Sequence, residues 1–160
     1  MTEFTMNDSL QETITGFDAV WRRVKGGAAA PSEDESLCLL IRGEQCSAVY
    51  DACLARMFQG TARSLLQTHA NNASARARRL GAEYFIRTGL CSTPEEECHP
   101  CGRRLIALRT AMEKDSAAAE AYRAAARDTS CAELEAIYQR FAEARCAAAQ
   151  DKRGIILRCF

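Results

Sequence analysis

The fold of this chain is decided by the stretch LLQTHA at residues 65–70 and its counterpart IYQRFA at residues 137–142, which lies 72 positions further on. At the same offset Tyr50 aligns with Tyr122, and Ala70 aligns with Ala142. Apolar residues recur around both stretches at the spacing of one helix face. The repeat therefore predicts two similar helical hairpins.

Outward from the repeat, the sequence predicts four long helices, at about residues 34–58, 61–87, 103–127 and 131–158. Gly60 and Gly89 are predicted to end the first and second helices. Ser130, with Glu133 three residues later, forms a capping-box pattern that predicts the start of the fourth. Segment 89–102 contains two prolines and is predicted to cross over between the hairpins.

Length and charge restrict the class of protein. A chain of 160 residues can bury one well-filled core, so we expect one domain at residues 34–160 and a short helical N-terminal extension at residues 1–33. The 21 basic and 21 acidic side chains cancel, which argues against a nucleic acid or an anionic membrane as partner. The sequence shows neither a secretory signal nor a membrane-spanning run, so we expect a cytoplasmic protein.

Three segments carry a resemblance to a known family: LIRGE at residues 40–44, ARRLGAEYF at residues 77–85 and AYRAA at residues 121–125. Together with Tyr50 they resemble the rubrerythrin-type branch of the ferritin-like superfamily, over most of residues 35–158. The resemblance implies an all-α, ferritin-like antiparallel four-helix bundle, intracellular and often dimeric. In that family a di-iron site reduces peroxide.

A ferritin-like di-iron site takes one Glu from each of two helices and a Glu-x-x-His pair from each of the other two. Residues equally far from the turn of a hairpin lie at the same level, so Glu44 should face residues 73–76, and residues 145–148 are their repeat equivalents. Glu44 matches the first-helix ligand and Asp115 approximates the third-helix ligand. The vestigial metal-site positions are therefore Glu44, Ala73, Arg76, Asp115, Arg145 and Ala148.

A carboxylate that faces a bundle core is costly unless it is paired, protonated or bound to a metal. We therefore expect Arg76 or Arg145 to occupy the metal position and to form a bidentate ion pair with Glu44. The alternative is that Glu44 is half-exposed and pairs with Arg42 or with solvent.

Nine cysteines are present, an odd number. Those in the helices are predicted to be free thiols that pack as small apolar side chains: Cys38, Cys46, Cys53, Cys131 and Cys146. The crossover offers four soft ligands for zinc or for redox chemistry: Cys91, Cys98, His99 and Cys101. The alternative is an exposed loop without any cross-link.

Three functions remain open at this stage. The first is a non-catalytic or regulatory bundle without a cofactor, acting as a homodimer or beside an intact paralogue. The second is a di-iron oxidoreductase or peroxidase that binds iron through Glu44 and Asp115. The third is a redox or zinc-binding module at residues 91–101. The missing histidines favour the first, so we do not expect an enzyme.

Overall fold

Four helices account for most of the described chain: α1 (Glu33–Ala55), α2 (Gly60–Thr88), α3 (Arg104–Asp128) and α4 (Ala132–Cys159). They are seen in a computed structural model that describes residues 31–94 and 98–160. Residues 33–160 form one compact unit. The predicted extension at residues 1–33 lies, except for its last three residues, outside the described part, so its short helix stays a prediction.

Short-range interactions set the helix ends. Gly89 follows α2 with a φ of 72°, and its N–H donates to the carbonyl of Phe85 at 2.8 Å, so this helix ends where glycine predicts. The capping box expected at Ser130 is wrong. Cys131 occupies the N-cap position of α4 without a side-chain cap, and its own N–H donates to Thr129 Oγ1 at 3.1 Å.

The helices pack as two hairpins, α1 with α2 and α3 with α4. The hairpins meet mainly through α1 and α3, and α2 also contacts α4. At the second of these interfaces His69 Nε2 lies 3.0 Å from Asp151 Oδ2. The all-α four-helix bundle predicted from the repeat is thereby confirmed.

The core consists of two apolar clusters, one toward each end of the bundle. Residues from α1, α2, α3 and α4 build the first: Leu37, Leu40, Ile41, Leu80, Tyr122, Ala126, Leu134, Ile137, Tyr138, Phe141 and Ala142. The second contains Tyr50, Leu54, Ala55, Phe58, Leu66, Ala107, Leu108, Ala111 and Ile155. The stretch of α1 between the clusters, residues 42–49, carries Glu44. None of the described helices is long and apolar enough to cross a membrane.

The crossover from α2 to α3 runs beside α1 toward the end of the bundle where α3 begins. Arg42 Nη2 lies 3.5 Å from Thr93 Oγ1, and further along α1 Cys46 forms a disulfide with Cys98, their Cα atoms 5.1 Å apart. The expectation that Cys46 is a free thiol is therefore wrong, and so is the alternative of a crossover without a cross-link. This pair could not be predicted from the sequence, because the irregular crossover has no periodicity that would define its path.

Candidate functional site

Glu44 lies in the middle of the bundle and is only 1% exposed. The Tyr122 hydroxyl donates to its Oε1 atom at 2.7 Å, and Arg145 Nε donates to the same atom at 3.1 Å. Burial, reinforced by the Glu44 carboxylate, raises the pKa of Tyr122 well above its ordinary value, so this hydroxyl remains a donor. The alternative of a half-exposed Glu44 is wrong.

Arg76 is the second cation beside Glu44. Its Nε atom lies 3.0 Å from Oε1, but the N–H is not directed at that oxygen, so the contact is an ion pair without a hydrogen bond. Both arginines thus reach Oε1, and Oε2 has no hydrogen-bond partner among the described residues. The expected pairing with arginine is confirmed, whereas the expected bidentate geometry is wrong.

Arg145 bridges three side chains with three different nitrogens. Besides the Nε bond to Glu44, Nη1 donates to Asp115 Oδ1 at 2.5 Å and Nη2 donates to Ser47 Oγ at 2.7 Å. Burial disfavours its charge, but Glu44 and Asp115 outweigh that effect and raise the pKa of Arg145 above its ordinary value. The guanidinium is therefore held fully charged in a site that is 2% exposed.

Lys152 extends this chain of charges toward the second apolar cluster. Its Nζ atom donates to Asp115 Oδ2 at 2.5 Å and to Asp51 Oδ2 at 2.8 Å. Burial raises the pKa of the Asp51 carboxyl, and the charge of Lys152 offsets part of that rise. Lys152 and Asp51 are both almost fully buried.

Six buried charged residues therefore form one connected cluster, which we call the core ion network: Arg76, Glu44, Arg145, Asp115, Lys152 and Asp51. Cations and carboxylates alternate along it, and the three charges of each sign cancel. All four helices contribute, so the network joins both hairpins. Such a cluster is tolerated in a core only because each charge faces an opposite one.

Four members of the network are among the residues predicted from the sequence, whereas Asp51 and Lys152 are not. A signal was available. Asp51 lies seven residues after Glu44, and Lys152 lies seven after Arg145, a spacing of two turns that returns a side chain to the same helix face. The bond from Tyr122 to Glu44 could not be inferred from the repeat counterpart Tyr50, because the Tyr50 hydroxyl donates instead to the carbonyl of Ala107 at 3.1 Å.

The residues at this level do not fit a di-iron centre. Ala73 and Ala148 are buried and offer no donor atom. The two carboxylates at this level that could serve as iron ligands, Glu44 and Asp115, are bridged by the Arg145 guanidinium. A cation already in contact with both carboxylates opposes the approach of a metal ion to them.

The crossover residues turn toward α1. The sulfur of Cys98 is bonded to Cys46, and His99 Nδ1 lies 3.3 Å from Cys53 Sγ. Cys91 and Cys101 are exposed free thiols. Across residues 31–94 and 98–160, no group of three or more His, Cys, Asp or Glu side chains is arranged to hold a metal ion.

Comparison with known proteins adds no family to this description. A scan against protein-family models, a search of curated proteins and a search of solved structures each found no match. Fold and site therefore define the class of protein on their own: a four-helix bundle with a buried, charge-balanced ion network between two apolar clusters.

Proposed function

We propose that this chain is a ferritin-like, rubrerythrin-related bundle in which the core ion network replaces the di-iron centre. In this proposal the protein is not an enzyme. It acts as a non-catalytic, regulatory bundle in the cytoplasm, without a resident metal, and its partner is a second copy of the same chain.

Chain connectivity supports the ferritin-like part of the proposal. Two hairpins are joined by a crossover that runs beside α1, and one long crossover is the connection used by ferritin-like bundles. The internal offset of 72 residues and the three resembling segments point the same way.

The position of Arg145 is the single observation that carries the loss of the metal. Its guanidinium contacts both Glu44, which matches the first-helix ligand of the rubrerythrin-type family, and Asp115, which approximates the third-helix ligand. Lys152 provides a second cationic partner for Asp115 through its ammonium group. Removing either cation would leave a buried carboxylate short of a partner, so the bundle depends on positive side chains where its relatives would use iron.

Exposed apolar side chains near the end of α2 support a second copy as partner. Phe85 and Ile86 are 54% and 76% exposed, and Leu90, just beyond the helix, is 61% exposed. Large apolar residues grouped in this way on a surface are typical of interaction sites.

Anaerobic iron loading tests the proposal. The full chain is incubated with a small excess of Fe(II) and desalted, and bound iron and peroxide turnover are measured. We expect far less than one iron per chain and no turnover. Light scattering on the same sample should give about twice the chain mass of 17.6 kDa.

A restored variant provides the positive arm of this experiment. Four substitutions rebuild the two missing Glu-x-x-His pairs: Ala73→Glu, Arg76→His, Arg145→Glu and Ala148→His. We expect this variant to retain iron. A matched control places similar side chains on the surface, through Arg78→His and Arg109→Glu, and should behave like the unaltered chain.

The unaltered chain decides the outcome even if the restored variant fails to fold. About two irons per chain together with peroxide reduction would overturn the proposal and support the di-iron oxidoreductase instead.

A further inference from the structure

The crossover carries a second site, built from three cysteines and separate from the core ion network. Cys98 is bonded to Cys46 of α1, and the free thiol of Cys101 lies three residues after Cys98 in the sequence Cys98-His99-Pro100-Cys101. The Cys-x-x-Cys spacing is the one used by dithiol redox motifs. One sulfur, that of Cys98, thus has two candidate partners.

The surroundings give the three sulfurs different exposure. Cys101 is exposed, whereas Cys46 and Cys98 are partly buried. His99 contacts Cys53, two helical turns beyond Cys46, and Thr93 contacts Arg42 on the other side of the disulfide, so the crossover lies against α1 on both sides of this bond. Among the described residues, the Cys101 Sγ atom has one weak hydrogen bond, at 3.7 Å to the carbonyl of His99, so this exposed thiol is available to react.

We propose that Cys46, Cys98 and Cys101 form a thiol–disulfide exchange site in which Cys98 alternates between two sulfur partners. The Cys101 thiolate attacks the Cys98 sulfur, and a new Cys98–Cys101 bond forms as the Cys46–Cys98 bond breaks. Cys46 leaves as a thiolate and takes up the proton that Cys101 lost. The step moves a disulfide without any net oxidation or reduction.

The partner of this site is a dithiol. An external dithiol attacks the more exposed Cys98–Cys101 bond, becomes a disulfide itself and leaves two thiols on the crossover. The two electrons and two hydrogens come from that dithiol, so the exchange balances. Because the Cys101 thiol reacts first, the external dithiol does not have to attack the partly buried Cys46–Cys98 bond, which it reaches less easily.

Such a site links the crossover to α1 or releases it from α1, depending on the concentration of the external dithiol. When Cys98 is bonded to Cys46, a covalent link joins Cys98 to the middle of α1. When Cys98 is bonded to Cys101, that link is absent. The site is independent of the proposed loss of iron, because none of its cysteines belongs to the core ion network.

Reduction kinetics and disulfide mapping test the exchange on the oxidised full chain. Samples are treated with dithiothreitol, quenched by alkylation at set times, digested and analysed by mass spectrometry. For Cys101→Ser we expect reduction of the Cys46–Cys98 bond to be roughly tenfold slower or more, because the internal attack at high effective concentration is lost. The control Cys91→Ser removes another exposed crossover thiol and should reduce at the unaltered rate.

A second variant tests the alternative bond directly. After treatment with oxidised glutathione, Cys46→Ser should contain a Cys98–Cys101 disulfide in place of the lost one. Equal reduction rates for Cys101→Ser and the unaltered chain, or a Cys46→Ser chain in which Cys98 and Cys101 never join, would overturn the proposal. Neither result bears on iron binding, so the two proposals fail separately.

Discussion

Replacing Tyr122 by Phe removes one hydroxyl that donates to the core ion network at Glu44, and nothing else. That hydroxyl donates to Glu44 at 2.7 Å in a site where both residues are 1% exposed. A hydrogen bond to a charged group contributes about 1.5–3 kcal/mol to stability. We therefore expect Tyr122→Phe to lower the free energy of unfolding by about 1.5–3 kcal/mol, measured by urea unfolding followed by circular dichroism at neutral pH.

Tyr138 provides a matched control in the same cluster. Its ring lies 6.1 Å from that of Tyr122, it is equally buried, and its hydroxyl has no hydrogen-bond partner among the described residues. Tyr138→Phe should therefore leave stability unchanged or raise it, since a buried unpaired hydroxyl is removed. Equal losses in both variants would refute the reasoning, because they would show that the bond to Glu44 contributes nothing.

The pH dependence of Tyr122→Phe gives an independent readout. The pKa of Tyr122 is raised in the folded chain, so above about pH 10 the unfolded state ionises this phenol before the folded state does. The unaltered chain then loses stability that the Phe variant keeps. The deficit of Tyr122→Phe should therefore shrink as the pH rises above 10.

Two further predictions concern the charges. Arg145→Met should lower the free energy of unfolding by about 3–5 kcal/mol, whereas Arg109→Met, which breaks an exposed pair with Glu113, should cost less than about 1 kcal/mol. The pKa of Asp51 is raised in the folded chain, so its ionisation lowers the free energy of unfolding as the pH rises from about 4 through that pKa. In urea unfolding, the free energy of unfolding of Asp51→Asn should therefore rise relative to that of the unaltered chain over this pH range. A difference that stays constant with pH would contradict this prediction.

The parts of the fold that obey a helical period could be predicted from the sequence. The four helix starts, at residues 33, 60, 104 and 132, fall within one residue of expectation, because turn residues and apolar spacing mark them. The ion pairs of Glu44 with Arg76 and Arg145 could also be predicted, because they follow from the regular geometry of the helices. A regular hairpin places Arg76 at the level of Glu44, and the 72-residue repeat places Arg145 at the equivalent level of the second hairpin.

What escaped prediction depends on side-chain geometry or on irregular backbone. The guanidinium of Arg145 divides its nitrogens among three acceptors, and Glu44 Oε2 has no hydrogen-bond partner within the described part of the chain. Helix spacing fixes which residues meet, but it does not fix which atoms bond. The Cys46–Cys98 bond depends on the path of a crossover that no period describes.

The alternation of charges in the core ion network also limits how this sequence can change over time. Any single substitution that removes one of the six charges leaves its neighbour buried beside fewer opposite charges, at a cost of several kcal/mol. Reversal of Arg145 to Glu would bring three carboxylates together around Asp115 and Glu44. Substitutions at these positions must therefore occur in compensating pairs if the fold is to be kept. Because the six residues lie on all four helices, the network restricts gradual sequence change in each of them.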